Sequence, residues 1–292
     1  MEFISTLISG LSSGGTYAMI ALGYTMVYGI AKMLNFAHGD IIMVGGYVMY
    51  VVLLMMDLNI FVAILAAVLL CVLLGIGVER AAYRPLRGAS PLAVLITAIG
   101  VSYLLQSLSL IIFGSSPKML SVLSLSGALK LGSLSIDYST LITLGVAAVI
   151  MVALTLFVKK TKTGRAMVAV SEDRDAAKLM GVNINFIIMV TFAIGSALAA
   201  LAGLFMLMKA PSLSNTFGAM PGIKAFTAAV IGGIGSIPGA MVGGLLLGVI
   251  EAFASKIPVI APYTDAIEFS ILIIILLVRP TGILGKKRRE KV

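Results

Sequence analysis

Apolar residues dominate this chain in long runs. The polar residues that interrupt them are concentrated in a few short stretches rather than recurring with a helical or strand period. Windows of about 18–25 apolar residues predict membrane-spanning helices, and they fall at Ile4–Tyr28, Ile41–Met56, Ile60–Val78, Pro91–Phe113, Tyr138–Val158, Asn185–Met208 and Pro262–Val278. The first is unusual, because Gly10, Ser12, Ser13, Gly14, Gly15 and Thr16 make its opening half small and polar. Met220–Lys256 is interrupted by GGIGSIPGAMVGG (Gly232–Gly244). Two crossings and a turn need about 40 residues or more, so this region is predicted to be a pair of short, broken or re-entrant helices. The fold class is therefore all-α and polytopic, with about 8 hydrophobic segments in one domain spanning residues 1–292. Irregular backbone inside a membrane must be packed in protein or line a cavity, which makes Gly232, Gly233, Gly235 and Pro238 candidates for the wall of a pathway.

The longest polar interruption is KKTKTGRAMVAVSEDRDAAKLMGVN, Lys159–Asn183. Lys159, Lys160, Lys162, Arg165, Arg174 and Lys178 oppose Glu172, Asp173 and Asp175, giving 6 − 3 = +3. A Lys/Arg excess marks the cytoplasmic side. Ser171 is placed to cap a short helix, with Glu172 and Asp173 at its positive end, Lys178 in its last turn and Gly181 as its stop. Ala176, Leu179 and Met180 then share one face, a surface on which a soluble partner could dock. The plain alternative is a solvated loop with one helical turn. ERAAYRPLRG (Glu79–Gly88) and the C-terminal tail KKRREK are also basic and read as cytoplasmic, whereas Gly114–Asp137 reads as an external loop. An even number of crossings separates each pair of basic regions, which places the N-terminus outside and the C-terminus in the cytoplasm.

Composition agrees with this reading. The 292 residues are 60% hydrophobic and 11% charged, against about 25% charged for a soluble domain. The net charge of +9 comes from residues at the ends of apolar runs and in the tail, so it marks membrane orientation and argues against a nucleic-acid surface. The first apolar stretch lacks a basic flank and reads as a span rather than a cleaved leader. Cys71 is the one cysteine, so no intrachain disulfide or Cys-rich metal site is expected. Gly195, Ala199 and Gly203 repeat every four residues, a stripe that lets another helix approach closely.

His38, Asp40, Lys224, Glu251 and Glu268 are the main ionisable groups in or near the spans. Such groups are costly in a membrane and often functional, although several could sit near its surface. His38 has no second His or Cys to share a metal. HExxH and a P-loop are absent and no Ser/His/Asp grouping stands out, so no catalytic residue, metal site or ATP site is assigned to the chain. Any energy source must come from another chain or from an ion gradient.

Three stretches together resemble a known family: Gly14–Tyr47, including Asn35-Phe36-Ala37-His38-Gly39; Thr163–Asn183; and Gly222–Glu251. They are similar to the first of the two paired permeases of branched-chain amino acid ABC importers. Asp175, Ala176, Ala177 and Gly181 also match the E-A-A-x-x-x-G docking signature of importer permeases, with Asp in place of Glu and without its later I-x-L-P part. The resemblance implies a complex in a prokaryotic plasma (inner) membrane: a second homologous permease, two cytoplasmic ATPase subunits that bind ATP and magnesium, and an external solute-binding protein. It implies coupling to the ATPases through Gly164, Arg165, Ser171, Glu172, Asp173, Asp175, Ala176, Ala177, Leu179, Met180 and Gly181, with the coupling helix at Ser171–Met180. Asn35 and His38, with the 232–244 breaks, are candidates to line or gate the route, the alternative being that they cap a helix end. Permeases for urea or short amides are very similar in pattern. A self-sufficient secondary carrier is the reading from another class, disfavoured by the capped polar segment and the scarcity of buried carboxylates.

Overall fold

Backbone groups inside hydrocarbon have no water to bond, so a spanning chain satisfies them within its own helices. The computed structural model describes residues 2–122, 127–131 and 134–285; the basic tail read from the sequence at 286–291 lies outside them. The helices are α1 (Glu2–Ala31), α2 (His38–Tyr50, extended by a π-turn over Val51–Met55), α3 (Ile60–Val78), α4 (Pro91–Phe113), α5 (Tyr138–Lys160), α6 (Lys162–Glu172), α7 (Arg174–Leu179), α8 (Ile184–Lys209), α9 (Ala219–Gly232), α10 (Ile237–Ala254) and α11 (Thr264–Val278). Seven helical stretches among the described residues are long and apolar enough to cross a membrane. The 30-residue α1 is outside that set, its apolar character diluted by glycine, serine and threonine, and the 14-residue α9 is too short. The polytopic helical fold is the one expected.

Local signals set the helix ends. Asn59, Ser90, Asn183 and Ser236 each accept a backbone N–H from the first turn of the helix they precede, the usual N-cap role. Pro91 and Pro238 sit in first turns, where a missing N–H costs nothing. Some boundaries differ from the sequence expectation. Glu79–Leu86 is not a loop: α3 runs on through a π-turn (Glu79–Tyr83) and a 3₁₀ turn (Arg84–Leu86), because Pro85 closes the helix only after Tyr83 is buried. His38 and Asp40 belong to α2 rather than to the loop before it. Within Gly232–Gly244 only 233–236 leaves the helical path, at Gly233 (φ 109°) and Gly235 (φ 93°); Gly232 ends α9, and Gly239, Gly243 and Gly244 lie in α10. The loop after α4 carries short ladders: β1 (Lys118–Met119) pairs antiparallel with β4 (Ser212–Leu213), and β2 (Ala128–Leu131) pairs antiparallel with β3 (Leu134–Asp137).

The bundle is built around α1, which contacts α5, α8, α9 and α10. Lipid tails are as apolar as leucine side chains, so helices associate through close packing instead of the hydrophobic effect. α1 and α10 meet on small residues. A Cβ at Gly248 would lie 2.1 Å from Gly14 N, and one at Gly244 would lie 2.4 Å from Ala18 Cα. The small-residue stripe of α8 also packs as predicted, with Gly195 over Gly23 of α1 and Gly203 against the Ile42 backbone of α2. α9 and α10 form a hairpin, in which a Cβ at Gly243 would lie 2.0 Å from Ala228 O. The outward faces are apolar, with Phe61, Ile111 and Leu277 on α3, α4 and α11 each at least 78% exposed.

A leucine at Gly248 has no space to enter. Overpacking costs about 1–3 kcal/mol and sometimes more, so Gly248→Leu is expected to lower the melting temperature of the detergent-purified protein or abolish its monodisperse elution. Gly145→Leu, at a site with nothing within 4 Å, is the control expected to behave as wild type. Equal melting temperatures for the two would remove the α1–α10 contact from the packing argument.

Candidate functional site

The polar segment forms two helices where the sequence reading gives one. Thr161 caps α6 by accepting from Gly164 N at 2.9 Å. Gly164 presses on the end of α5, where a Cβ would come within 2.3 Å of Phe157 O, and Met167 and Val170 are buried. Arg165 reaches back to Lys160 O at 3.3 Å. Ser171 is not the cap of the next helix. It lies within α6 and donates to Val168 O at 2.7 Å. The cap is Asp173 (φ −151°), whose Oδ1 accepts from Asp175 N at 3.1 Å and Ala176 N at 3.0 Å. Ser171, Glu172 and Asp173 are adjacent polar residues, and the longer reach of the aspartate carboxylate from an extended residue selects the last of them. Glu172 therefore ends α6.

α7 closes on Gly181 (φ 82°). Val182 N donates to Ala177 O and Gly181 N to Lys178 O, both at 3.0 Å, the paired bonds of a Schellman stop. Two residues fix its underside: Ala177 is buried, and Arg174 Nη2 donates to Ile30 O at the end of α1, at 3.0 Å. Burial lowers the Arg174 pKa from its ordinary value, and Arg87 nearby acts in the same direction. The opposite face is open. Ala176 is exposed, and Leu179 and Met180 are 88% and 84% exposed.

Inside the bundle, two irregular stretches meet. Lys32–Ala37 carries the chain back alongside α1, so that His38 lies against Gly23, eight residues or about 12 Å before the end of that helix. The His38 ring is held edge-on to Tyr24 at 4.7 Å and sits between Gly23 and Gly195. Asn35 Oδ1 accepts from Tyr83 OH at 2.8 Å, and Asp40 Oδ1 accepts from Gln106 Nε2 at 2.9 Å. The stretch between β4 and α9 comes down from the end of α8, and Gly218 and Gly222 rest on Gly39. Asn35 and His38 are thus buried between helices and joined to that crossing. Gly232, Gly233, Gly235 and Pro238 lie elsewhere, at the α9–α10 turn. That turn sits at the α6–α7 end of the bundle, where the chain after α11 bonds to it through Ile283 N to Ile231 O and Leu284 N to Gly232 O, both 2.9 Å. Gly235 and Ser171 line one cleft of about 370 Å³ with Thr25 and Gly29 of α1. That cleft joins the α6 and α9–α10 candidates, and Asn35 and His38 are not part of it.

One cluster escaped the sequence reading. Lys224 Nζ on α9 lies 2.7 Å from Glu251 on α10 and 2.8 Å and 3.4 Å from Asp265 and Glu268 on α11, and Tyr17 OH on α1 donates to Glu251 at 3.0 Å. Lys224, Glu251 and Glu268 stood out individually as intramembrane charges, but Asp265 did not. No spacing could have joined residues from four separate helices. At that end, opposite α7, a cleft of about 320 Å³ is lined by Ser13, Thr16 and Tyr17 of α1, Phe205, Met206 and Lys209 of α8, and Pro221. Lys209 Nζ donates to Ser13 Oγ at 2.6 Å.

Removing the Tyr83 hydroxyl strands a buried acceptor on Asn35, at a cost of about 1–3 kcal/mol. Tyr83→Phe is therefore expected to lower the melting temperature, whereas Tyr103→Phe, at a 65% exposed position, leaves it unchanged. An unchanged Tyr83→Phe would leave the 32–37 stretch held by other contacts.

Comparison with known proteins bears on the whole chain. The family model described as branched-chain amino acid transport system / permease component matches residues 6–276. The chain is 44% identical to the high-affinity branched-chain amino acid transport system permease protein BraD of Pseudomonas aeruginosa and 41% identical to LivH of Escherichia coli K12, over 100% of this chain and 98% of each relative. A solved structure, PsaBC from Streptococcus pneumoniae in complex with Fab, aligns at a TM-score of 0.45 and 16% identity over 96% of this chain and 91% of that one, too distant to add to the reading. With full-length identity above 40% and a family match over nearly every helix described above, the chain belongs to the permease-component family of branched-chain amino acid transport systems.

Proposed function

We propose that this chain is the membrane permease subunit of an ATP-driven ABC importer for branched-chain amino acids. The full-length likeness to permeases of such systems carries the proposal. In this reading the subunit forms a translocation pathway together with a second homologous permease. Two cytoplasmic ATPases bind ATP and magnesium and supply the energy, and an external binding protein delivers the substrate. The subunit sits in the inner membrane of a prokaryote with its N-terminus outside, its C-terminus inside and the α6–α7 end facing the cytoplasm.

α7 has the properties of a docking element for an ATPase. Its exposed Leu179 and Met180 offer apolar area, while its cap, stop and Arg174–Ile30 bond make it a rigid lever on the end of α1. Closure of the ATPases on ATP would push this element. The push reaches α1 directly through the Arg174–Ile30 bond, and α6 faces the α9–α10 turn across the cleft lined by Ser171 and Gly235. Transporters change access by rigid-body or hinge movements of packed helices. The glycines at 232, 233 and 235 and Pro238 give that turn a backbone suited to such a hinge, and the buried Asn35 and His38 are proposed to line the route in another state of the cycle. A urea or short-amide importer is the second reading, and it differs only in what the pathway accepts.

The test is reconstitution of the tagged chain with whatever co-purifies from native membranes. Expected are a second permease, two ATPase subunits and ATP-dependent leucine uptake that urea does not inhibit. A chain that purifies alone and transports alone would overturn the importer reading, and uptake of urea in place of leucine would select the second one. Leu179→Arg and Ala176→Arg are expected to leave the protein inserted and to reduce stimulated ATPase activity and uptake by about tenfold or more, the worth of a lost anchor contact at an interface. Normal coupling in both variants would move the docking element elsewhere, with Glu79–Gly88 the next region to examine.

A further inference from the structure

We propose that the cleft between α1, α8 and α9 is an amino-acid site of the permease itself, with Lys209 and Ser13 holding the carboxylate and Tyr17 meeting the ammonium group. The assignment rests on reading the chain as an amino acid permease, and it gives that reading residues to contact the substrate. Small-molecule sites are mainly apolar with a few convergent polar groups, and the lining of this open cleft has that character. Here the polar groups divide by sign. Lys209 ends α8, and its ammonium is held toward the cleft by the 2.6 Å bond to Ser13 Oγ. A cation with a neighbouring hydroxyl suits a carboxylate, because charge-assisted hydrogen bonds are roughly twice as strong as neutral ones.

Tyr17 lies one turn further along the same face of α1 as Ser13, about 6 Å along the axis. Its hydroxyl proton is committed to Glu251, which leaves the oxygen as an acceptor. Behind it stand three carboxylates around the single cation Lys224, a formal excess of negative charge that favours an ammonium group nearby. Phe205, Met206 and Pro221 supply apolar wall. The cleft therefore offers a positive end, an acceptor end backed by negative charge and an oily side, the complement of a zwitterion with an aliphatic side chain. Its position adds to the case. It lies at the end of the bundle away from α7, and the chain leaving Lys209 runs down to the Gly218–Gly39 crossing, so a ligand there sits at the head of the stretch that penetrates the bundle.

The site can be tested in the assembled transporter in nanodiscs. Ser13→Cys adds a thiol to a chain whose one native cysteine, Cys71, is fully buried, and its rate of modification by a methanethiosulfonate reagent is followed. Leucine is expected to slow labelling, whereas isoamylamine, which is leucine without its carboxylate, protects far less. Combining Ser13→Cys with Lys209→Met should raise the leucine concentration needed for protection by about tenfold or more, the worth of one hydrogen bond to a charged group, and Lys209→Arg should restore it. Labelling indifferent to leucine, or full protection with Lys209→Met, in a complex that imports leucine would overturn the site and leave the proposed function standing. A wild-type complex that imports no amino acid would overturn both.

Discussion

Close approach between backbones is the interaction on which the rest of this structure depends. In lipid, one apolar surface gains little by exchanging hydrocarbon for another apolar surface, and association rests on dispersion at short range and on hydrogen bonds. Each atom pair contributes only about 0.1–0.2 kcal/mol, so many pairs have to be brought into contact. α1 achieves this by having few large side chains in its first half. Gly10 and Gly14 let the backbone of α10 lie almost against its own, and Gly23 does the same for α8 and the His38 ring. The feature that makes α1 look like a poor membrane span, its load of glycine, serine and threonine, is what allows it to occupy the centre.

A central helix packed this closely also permits irregular structure nearby. The stretches 32–37 and 214–218 would be untenable facing lipid. Here Met33, Asn35, Ala37 and Gly218 are buried within the bundle, and polar groups find partners in the bonds from His38 N to Asn35 O and from Phe217 N to Ser214 O and in the Tyr83–Asn35 pair. Their crossing at Gly39, Gly218 and Gly222 joins the two halves of the chain in the middle of the fold. The Lys224 cluster joins α9, α10 and α11 to α1 by charge at one end, while the α9–α10 turn, the 281–285 segment and α6 close the other. The short α9 thus runs between a charged anchor and a glycine hinge, a suitable arrangement for an element that has to move as a unit.

Much of this was determined by sequence alone. Long apolar runs and the scarcity of charge fixed a polytopic helical protein, since no other structure satisfies the backbone of such a chain. Gly181 marked the end of α7 correctly because a stop acts within a few residues, and the caps Asn59, Ser90 and Asn183 are equally local features. The exposed face of Ala176, Leu179 and Met180 followed from helical spacing, as did the packing role of Gly195, Ala199 and Gly203. The cap of α7 was misplaced by two residues because Ser171, Glu172 and Asp173 compete locally, and the folding of α6 onto α5 through Gly164 decides among them. What only the tertiary structure decided was how distant elements combine: the His38 ring between Gly23 and Gly195, the Gly39–Gly218 crossing, the meeting of Lys224 with Glu251, Asp265 and Glu268, and the cleft between Ser13 and Lys209. The reason is physical. Hydrogen-bond periodicity and capping are encoded over a few neighbouring residues, whereas a contact between residues 196 positions apart depends on the relative placement of whole helices, which no local pattern records.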